Sequence, residues 1–197
     1  AMESDLASLV IVMEPHPEEF FTRHNDQRVL RLNTIQEMLQ LLETVGVDFV
    51  YQLNFDEQTS EITAESYIKD FLVDGLGIRA MIIGDDFRFG KDRLGDYSLL
   101  EEYGEEYNYR LIKTATYEQN GHRISSTFVR EQLLSSNFDL VTKILGRPYS
   151  ISGTVARGQQ LGSSLGFPTC NLDPGFNRIS LRGVFACEVK LGQRILQ

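Results

Sequence analysis

Three stretches of this 197-residue sequence combine residue types and spacings that suit phosphate or aromatic-ring chemistry. The first, Gly84-Asp85-Asp86-Phe87-Arg88-Phe89-Gly90, leaves an apolar run directly. Its glycines permit sharp backbone turns, its carboxylates accept hydrogen bonds, and its phenylalanines offer flat apolar surface. That mixture suits a planar heterocycle; it equally suits a turn whose aromatics fold back into the core. The second is Arg123-Ile124-Ser125-Ser126-Thr127-Phe128-Val129-Arg130. Ser125 or Ser126 can cap a helix, and the free backbone N–H groups of a helix N-terminus form an anion site. Arg130 lies one turn further in, from where its guanidinium reaches back toward a phosphate. The plain alternative is a helix cap with a solvated arginine.

The third stretch sets Gly158, Gly162 and Gly166 at four-residue spacing ahead of Phe167-Pro168-Thr169-Cys170-Asn171. Such glycines suit a flap whose backbone approaches phosphate closely. In an extended strand Thr169 and Asn171 point to one face, where a hydroxyl and an amide can hold a hydrated Mg²⁺ and nucleotide oxygens. A long loop leading into a strand is the alternative. The Gly-Lys-Ser/Thr ending of a P-loop is absent. His16, between Pro15 and Pro17, suits either a substrate-facing imidazole or a structural turn. His24 and His122 have no partner at metal-ligand spacing and read as surface residues. Cys170 and Cys187 lie in apolar sequence and read as buried free thiols. Glu101, Glu102, Glu105 and Glu106 read as a solvated helix face.

The elements that must position these residues alternate. Leu9 to Met13 makes a buried strand, stopped by the prolines after Glu14. Thr34-x-x-Glu37 is a capping box, followed by Ile35, Met38, Leu39 and Leu42 at helical spacing. Gly46 ends that helix, and Val47 to Leu53 is the next strand. Thr63 caps a helix with Ile68, Phe71 and Leu72 on one face, broken at Gly75 and Gly77. A strand over 78–83 follows, then a helix after Asp96 and a strand over 109–114. Strands alternating with helices imply a parallel sheet covered on both faces. Helices over 127–134 and 138–145 come next, and Gly146-Arg147-Pro148 punctuates the chain. Beyond it strands are expected over 149–157 and 184–191, with no helix, so a domain boundary falls near Gly146.

A net charge of −9 argues against general affinity for nucleic acid or an anionic membrane surface. With 42% hydrophobic and 24% charged residues the composition is that of a soluble globular protein. No apolar run is long enough to span a bilayer, and the first residues do not read as a signal peptide, so a reducing cytoplasm is expected. The sequence carries no mark of oligomeric state.

Taken in order, the segments Glu14 to Phe21 (EPHPEEFF), Ile83 to Gly90 (IGDDFRFG), Arg123 to Arg130 (RISSTFVR), Leu145 to Val155 (LGRPYSISGTV) and Leu165 to Leu172 (LGFPTCNL) resemble the bacterial bifunctional riboflavin kinase/FMN adenylyltransferases, the FAD synthetases. Gly183-Val184-Phe185-Ala186 resembles a further strand of that family's kinase module. The resemblance implies a Rossmann-like α/β nucleotidyltransferase domain over 1–146 and part of a six-stranded β-barrel kinase over 147–197. It implies that the barrel phosphorylates riboflavin with ATP, and that the α/β domain adenylylates FMN to FAD with release of pyrophosphate. By the same resemblance Arg123, Ser126 and Arg130 serve catalysis, and Ser125, Ser126, Thr127, Arg130, Gly158 and Gly162 serve nucleotide binding. Thr169 and Asn171 would bind ATP and Mg²⁺, while His16, Asp86, Phe87 and Phe89 would face the flavin. Riboflavin, FMN and ATP are then the partners, with no nucleic acid or membrane.

Three departures accompany it. Cys170 stands where the family usually has Ala. The family's phosphate-binding GxFDGxHxGH segment and its kinase glutamate, the general base for the ribityl hydroxyl, have no counterpart in this stretch. The chain is therefore expected to be part of a longer protein, cut at both ends and making little FAD by itself. Competing readings are a single-activity nucleotidyltransferase of the same superfamily and a non-catalytic flavin-nucleotide binding protein.

Overall fold

A computed structural model of the chain describes residues 5–23, 31–84, 86–119, 121–159, 161–175 and 181–196. Asp85 and His24 lie outside the described residues. Two compact units make up the chain: Ala1–Val29 with Leu41–Ile124, and Leu30–Gln40 with Ser125–Gln197. The division falls between Ile124 and Ser125, ahead of Gly146, so the two helices after Ser125 group with the C-terminal segment.

The first strand, β1 (Leu9–Glu14), pairs in parallel with β2 (Phe49–Asn54), Leu9 standing opposite Phe49. Between them lie α1 (Pro17–Thr22) and α2 (Ile35–Thr44). The capping box of α2 forms: Thr34 Oγ1 accepts from the Glu37 N–H at 3.0 Å, and Glu37 Oε2 accepts from the Thr34 N–H at 2.7 Å. At its other end Gly46 takes φ +79°, and the Val47 N–H returns to the Leu42 carbonyl at 3.0 Å, the closure that a left-handed residue permits. After β2 come α3 (Glu57–Ser60) and α4 (Ala64–Ser66), capped by Asp56 and Thr63. The expected helix from Thr63 winds as a π-helix over Tyr67–Gly75, burying Tyr67, Ile68 and Leu72. Nothing in its composition marks the wider winding.

A second parallel pair joins β3 (Ala80–Ile83) to β4 (Arg110–Lys113) across α5 (Tyr97–Tyr107). Asp96 caps α5 by accepting from the Leu99 N–H at 3.0 Å. Glu101, Glu102, Glu105 and Glu106 on α5 are exposed. Two short strands, β5 (Glu118–Gln119) and β6 (His122–Arg123), pair antiparallel. The core of this unit gathers Ala64, Tyr67, Ile68, Leu72, Ile83, Phe89, Leu100 and Tyr109. At Tyr109 the polar tip is satisfied, since its hydroxyl donates to the Leu100 carbonyl at 2.6 Å.

In the second unit α6 (Ser126–Leu134) and α7 (Phe138–Leu145) bury Val129, Leu133 and Val141 together. Then β7 (Thr154–Ala156), α8 (Leu161–Ser164) and β8 (Asn171–Asp173) succeed them, with β7 antiparallel to β8. The last pair is β9 (Val189–Leu191) and β10 (Arg194–Leu196), also antiparallel.

The structure corrects several expectations. The parallel pairing is observed, but among the described residues the two pairs do not join into one ladder, and β7–β8 and β9–β10 remain separate. Ladders of three residues supply too few hydrogen bonds to close a barrel by themselves. The strand expected over 149–157 is confined to Thr154–Ala156, the backbone N–H of Ser152 being taken by Glu37 rather than by a neighbouring strand. That expected over 184–191 is confined to Val189–Leu191. A short helix, α8, stands in the region expected to have none. Cys170 and Cys187 are exposed rather than buried, since the strands beside them have no covering layer among the described residues.

Candidate functional site

In the first unit the loop after β3 is pinned by its glycines. Gly90, at φ +72°, lies so close to Ala64 that an added Cβ would stand 2.7 Å from its backbone, and one on Gly95 would stand 2.6 Å from the Phe89 ring. The Phe89 N–H and Gly95 carbonyl pair at 3.1 Å, and the reciprocal bond is 2.9 Å. Phe89 is only 5% exposed, packs on Tyr67 at 5.3 Å, and stacks on the partly buried Phe87 at 5.6 Å and 19°. Its ring is therefore a core ring, while Phe87 links that core to the loop surface.

Asp86 points outward. Its Oδ2 accepts from Arg123 Nη2 at 2.5 Å, with both side chains more than half exposed. The hydrogen bond and charge of the Arg123 guanidinium hold the Asp86 carboxyl below the usual carboxylate range. Two segments found separately in the sequence are thus joined, the loop after β3 and the strand β6. His16 is the N-cap of α1, where its Nδ1 accepts from the Glu18 N–H at 3.3 Å.

An aromatic group at the carboxyl ends of β1 and β2 has no clear signature in the sequence. Phe20 and Phe21 meet Phe55 edge-on at 5.3 and 5.8 Å, the Arg23 guanidinium sits 4.2 Å over Phe20, and Arg23 pairs with Glu57 at 2.7 Å. Phe21 remains 64% exposed at the strand end where open parallel sheets take ligands. In the sequence Phe20 and Phe21 are marked only as the end of the Glu14 to Phe21 stretch, with no chemistry assigned to them.

In the second unit Ser125 takes the cap of α6: its φ of −146° is extended, and its Oγ accepts from the Phe128 N–H at 3.2 Å. Exposed Ser126 and Thr127 hold the first two helical positions, whose N–H groups have no acceptor within the helix. Arg130, on the next turn, is partly buried.

The glycine loop folds onto the Thr169/Asn171 pair. A Cβ added at Gly158 would stand 2.0 Å from Asn171 Nδ2; one at Gly162 would stand 2.2 Å from the Phe167 carbonyl and 2.9 Å from Thr169 Oγ1. The Gly162 carbonyl accepts from the N–H groups of Leu165 and Phe167 at 3.1 and 2.7 Å, closing the turn. Gly166 reaches φ +82° with nothing near its missing side chain. Side chains at 158 and 162 would thus collide with Asn171, Thr169 and the Phe167 carbonyl, so the loop packs directly against the Thr169/Asn171 pair. Both offer neutral oxygens of the kind a hard cation such as Mg²⁺ prefers. Among the described residues no group of three or more His, Cys, Asp or Glu side chains could hold a metal, and no helix is long and apolar enough to cross a membrane.

Parallel strand pairs with helical connections, followed by short antiparallel ladders, define an α/β protein with a β-rich C-terminal segment. The model of the FAD synthetase family matches residues 1–128, and that of riboflavin kinase matches residues 145–197. The chain belongs to the FAD synthetase family. It is 40% identical over 193 residues to the bifunctional riboflavin kinase/FMN adenylyltransferase of Escherichia coli (strain K12), covering 98% of this chain and 61% of that protein. The protein of the same description from Pseudomonas fluorescens is 37% identical, with 97% and 60% covered. The chain thus spans about three-fifths of the length of these relatives. A crystal structure described as a macrolide-efflux protein from Streptococcus pneumoniae has a similar fold, with a TM-score of 0.69 at 24% identity over 87% of this chain and 55% of that one.

Proposed function

We propose that the protein serves FAD biosynthesis, phosphorylating riboflavin to FMN with ATP and then adenylylating FMN to FAD. The observation that carries this reading is the tandem match of two families within one chain, FAD synthetase over 1–128 and riboflavin kinase over 145–197. A single-activity nucleotidyltransferase would have no need of the second segment. We assign 1–146 to a Rossmann-like adenylyltransferase domain and 147–197 to part of a six-stranded kinase barrel, acting in the cytoplasm on small molecules.

In the adenylyl transfer an FMN phosphate oxygen attacks the α-phosphorus of ATP, and pyrophosphate departs with the electrons of the broken bond. Arg123, Ser126 and Arg130 stabilise the charge on the departing group, as preorganised donors do. Ser125 supports them by capping α6, and the N–H of Thr127 adds to the phosphate-binding end. Asp86 and Phe87 hold the flavin side, with Phe89 fixing Phe87 from beneath and His16 setting the entry of α1. In the kinase reaction the terminal ribityl hydroxyl attacks the γ-phosphorus of ATP, ADP departs with the electrons of the broken β–γ bridging bond, and the hydroxyl proton is released to solvent. Gly158 and Gly162 bring the flap against the nucleotide, and Thr169 and Asn171 hold it. Mg²⁺ at that pair, when bound, neutralises phosphoryl charge.

The test is the intact protein incubated with riboflavin, ATP and Mg²⁺, with flavins separated by chromatography. FMN followed by FAD is expected; riboflavin left unchanged overturns the reading. Arg130→Ala should lower FAD formation while FMN formation continues.

A further inference from the structure

We propose that Glu37 is a positioning residue for the Thr169/Asn171 pair, acting through the backbone that leads into β7. The inference rests on the kinase reading above. A capping box occupies one carboxylate oxygen, and Glu37 Oε2 serves it through the Thr34 N–H. The other oxygen, Oε1, accepts from the Ser152 N–H at 2.5 Å, across 115 residues of sequence. Glu37 is only 7% exposed, and a buried carboxylate is tolerated only where its lone pairs are met. A second tie lies alongside, where the Tyr149 hydroxyl donates to the Leu32 carbonyl at 2.9 Å. Burial, and then the charge of Glu37, push the Tyr149 hydroxyl up to about 12. The segment 149–152 is therefore tied to residues 32–37 at both ends.

Beyond Ser152 the chain is tightly constrained. At Gly153 an added Cβ would stand 2.3 Å from the Asp173 carbonyl, so β7 enters in close contact with β8. Thr154 pairs with Asp173 and Ala156 with Asn171. Two residues later Gly158 meets the Asn171 amide. Glu37 thus fixes Ser152, Ser152 precedes the glycine that seats β7 on β8, and β8 begins at Asn171. Glu37 itself acts on Thr169 and Asn171 only through backbone register.

The test uses the intact protein and assays the two activities separately, riboflavin to FMN and supplied FMN to FAD. Glu37→Gln keeps the size but has one carbonyl oxygen for two N–H donors. We expect the KM for ATP in FMN formation to rise about tenfold, as loss of an outer support commonly does, with FAD formation unchanged. Tyr149→Phe should act in the same direction with a smaller effect, and it carries the test if Glu37→Gln does not fold. Amide hydrogen exchange should quicken over 152–156 and 171–173 in both variants. Equal losses of kcat in both reactions at unchanged KM would make Glu37 merely structural and overturn the proposal. So would unchanged KM together with unchanged exchange. Wild-type protein that makes no FMN would instead overturn the kinase reading, while the exchange data still judge the tie.

Discussion

The packed core of the first unit and the strands beyond Gly146 use similar apolar residues to opposite effect. Ile68 and Leu100 are fully buried, whereas Val155, Leu172, Leu191 and Ile195 are all about half exposed or more. The difference lies in neighbours rather than in composition. The π-helix, α5, β3 and the loop at Phe89 close around one centre, while among the described residues β7–β8 and β9–β10 are separate ribbons. Alternation along a strand states which face needs cover, and other elements must supply it.

The largest effect expected from this contrast is on stability. Leu100→Ala should cost about 2–5 kcal/mol in chemical denaturation, as buried truncations do, whereas Val155→Ala should stay within about 0.5 kcal/mol in the same chain. A loss at Val155 as large as that at Leu100 would break the comparison.

Gly158→Ala probes a close approach within the exposed C-terminal ribbons. Its Cβ would collide with the Asn171 amide, so FMN formation should fall by an order of magnitude or more in a flavin chromatography assay. FAD formation from supplied FMN should persist. Normal FMN formation would show that the flap does not need its close approach.

Ser125→Ala removes the cap of α6 and should lower stability by about 1 kcal/mol in thermal denaturation. No change would mean that the helix end is held by packing alone.

The smallest effect concerns Asp86, a surface counterpart to the buried tyrosine tip of Tyr109. Arg123 holds the folded-state carboxyl below its ordinary 3.8, so the pair stabilises above that pH and is lost as pH falls through the lower folded value. Asp86→Asn should therefore destabilise slightly at neutral pH, with the difference vanishing in acid and shrinking in salt. A difference that persists at the lowest pH would refute the pairing.

What was legible in the sequence was local. Thr34 with Glu37, Asp96 ahead of α5 and Gly46 after α2 act over three to five residues, and their spacing announces them. So does Ser125, once the choice between two adjacent serines is made by backbone conformation. Contacts across long separations carried no such mark: Asp86 with Arg123 spans 37 residues and Glu37 with Ser152 spans 115. Two-residue strands such as β5 and β6 are too short for any periodicity to show. The glycine spacing at 158, 162 and 166 suggested a flap, but only the fold reveals that the first two press on Asn171 and Thr169.

The exposure of Cys170 has a practical consequence. Its thiol stands between Thr169 and Asn171 in sequence and faces solvent. If the Thr169/Asn171 pair takes nucleotide as proposed, an environment-sensitive fluorophore attached there should report its binding, and Cys187→Ser would make the labelling site-specific. Under the proposed kinase reading, Cys170 is an attachment point for an optical sensor of nucleotide binding.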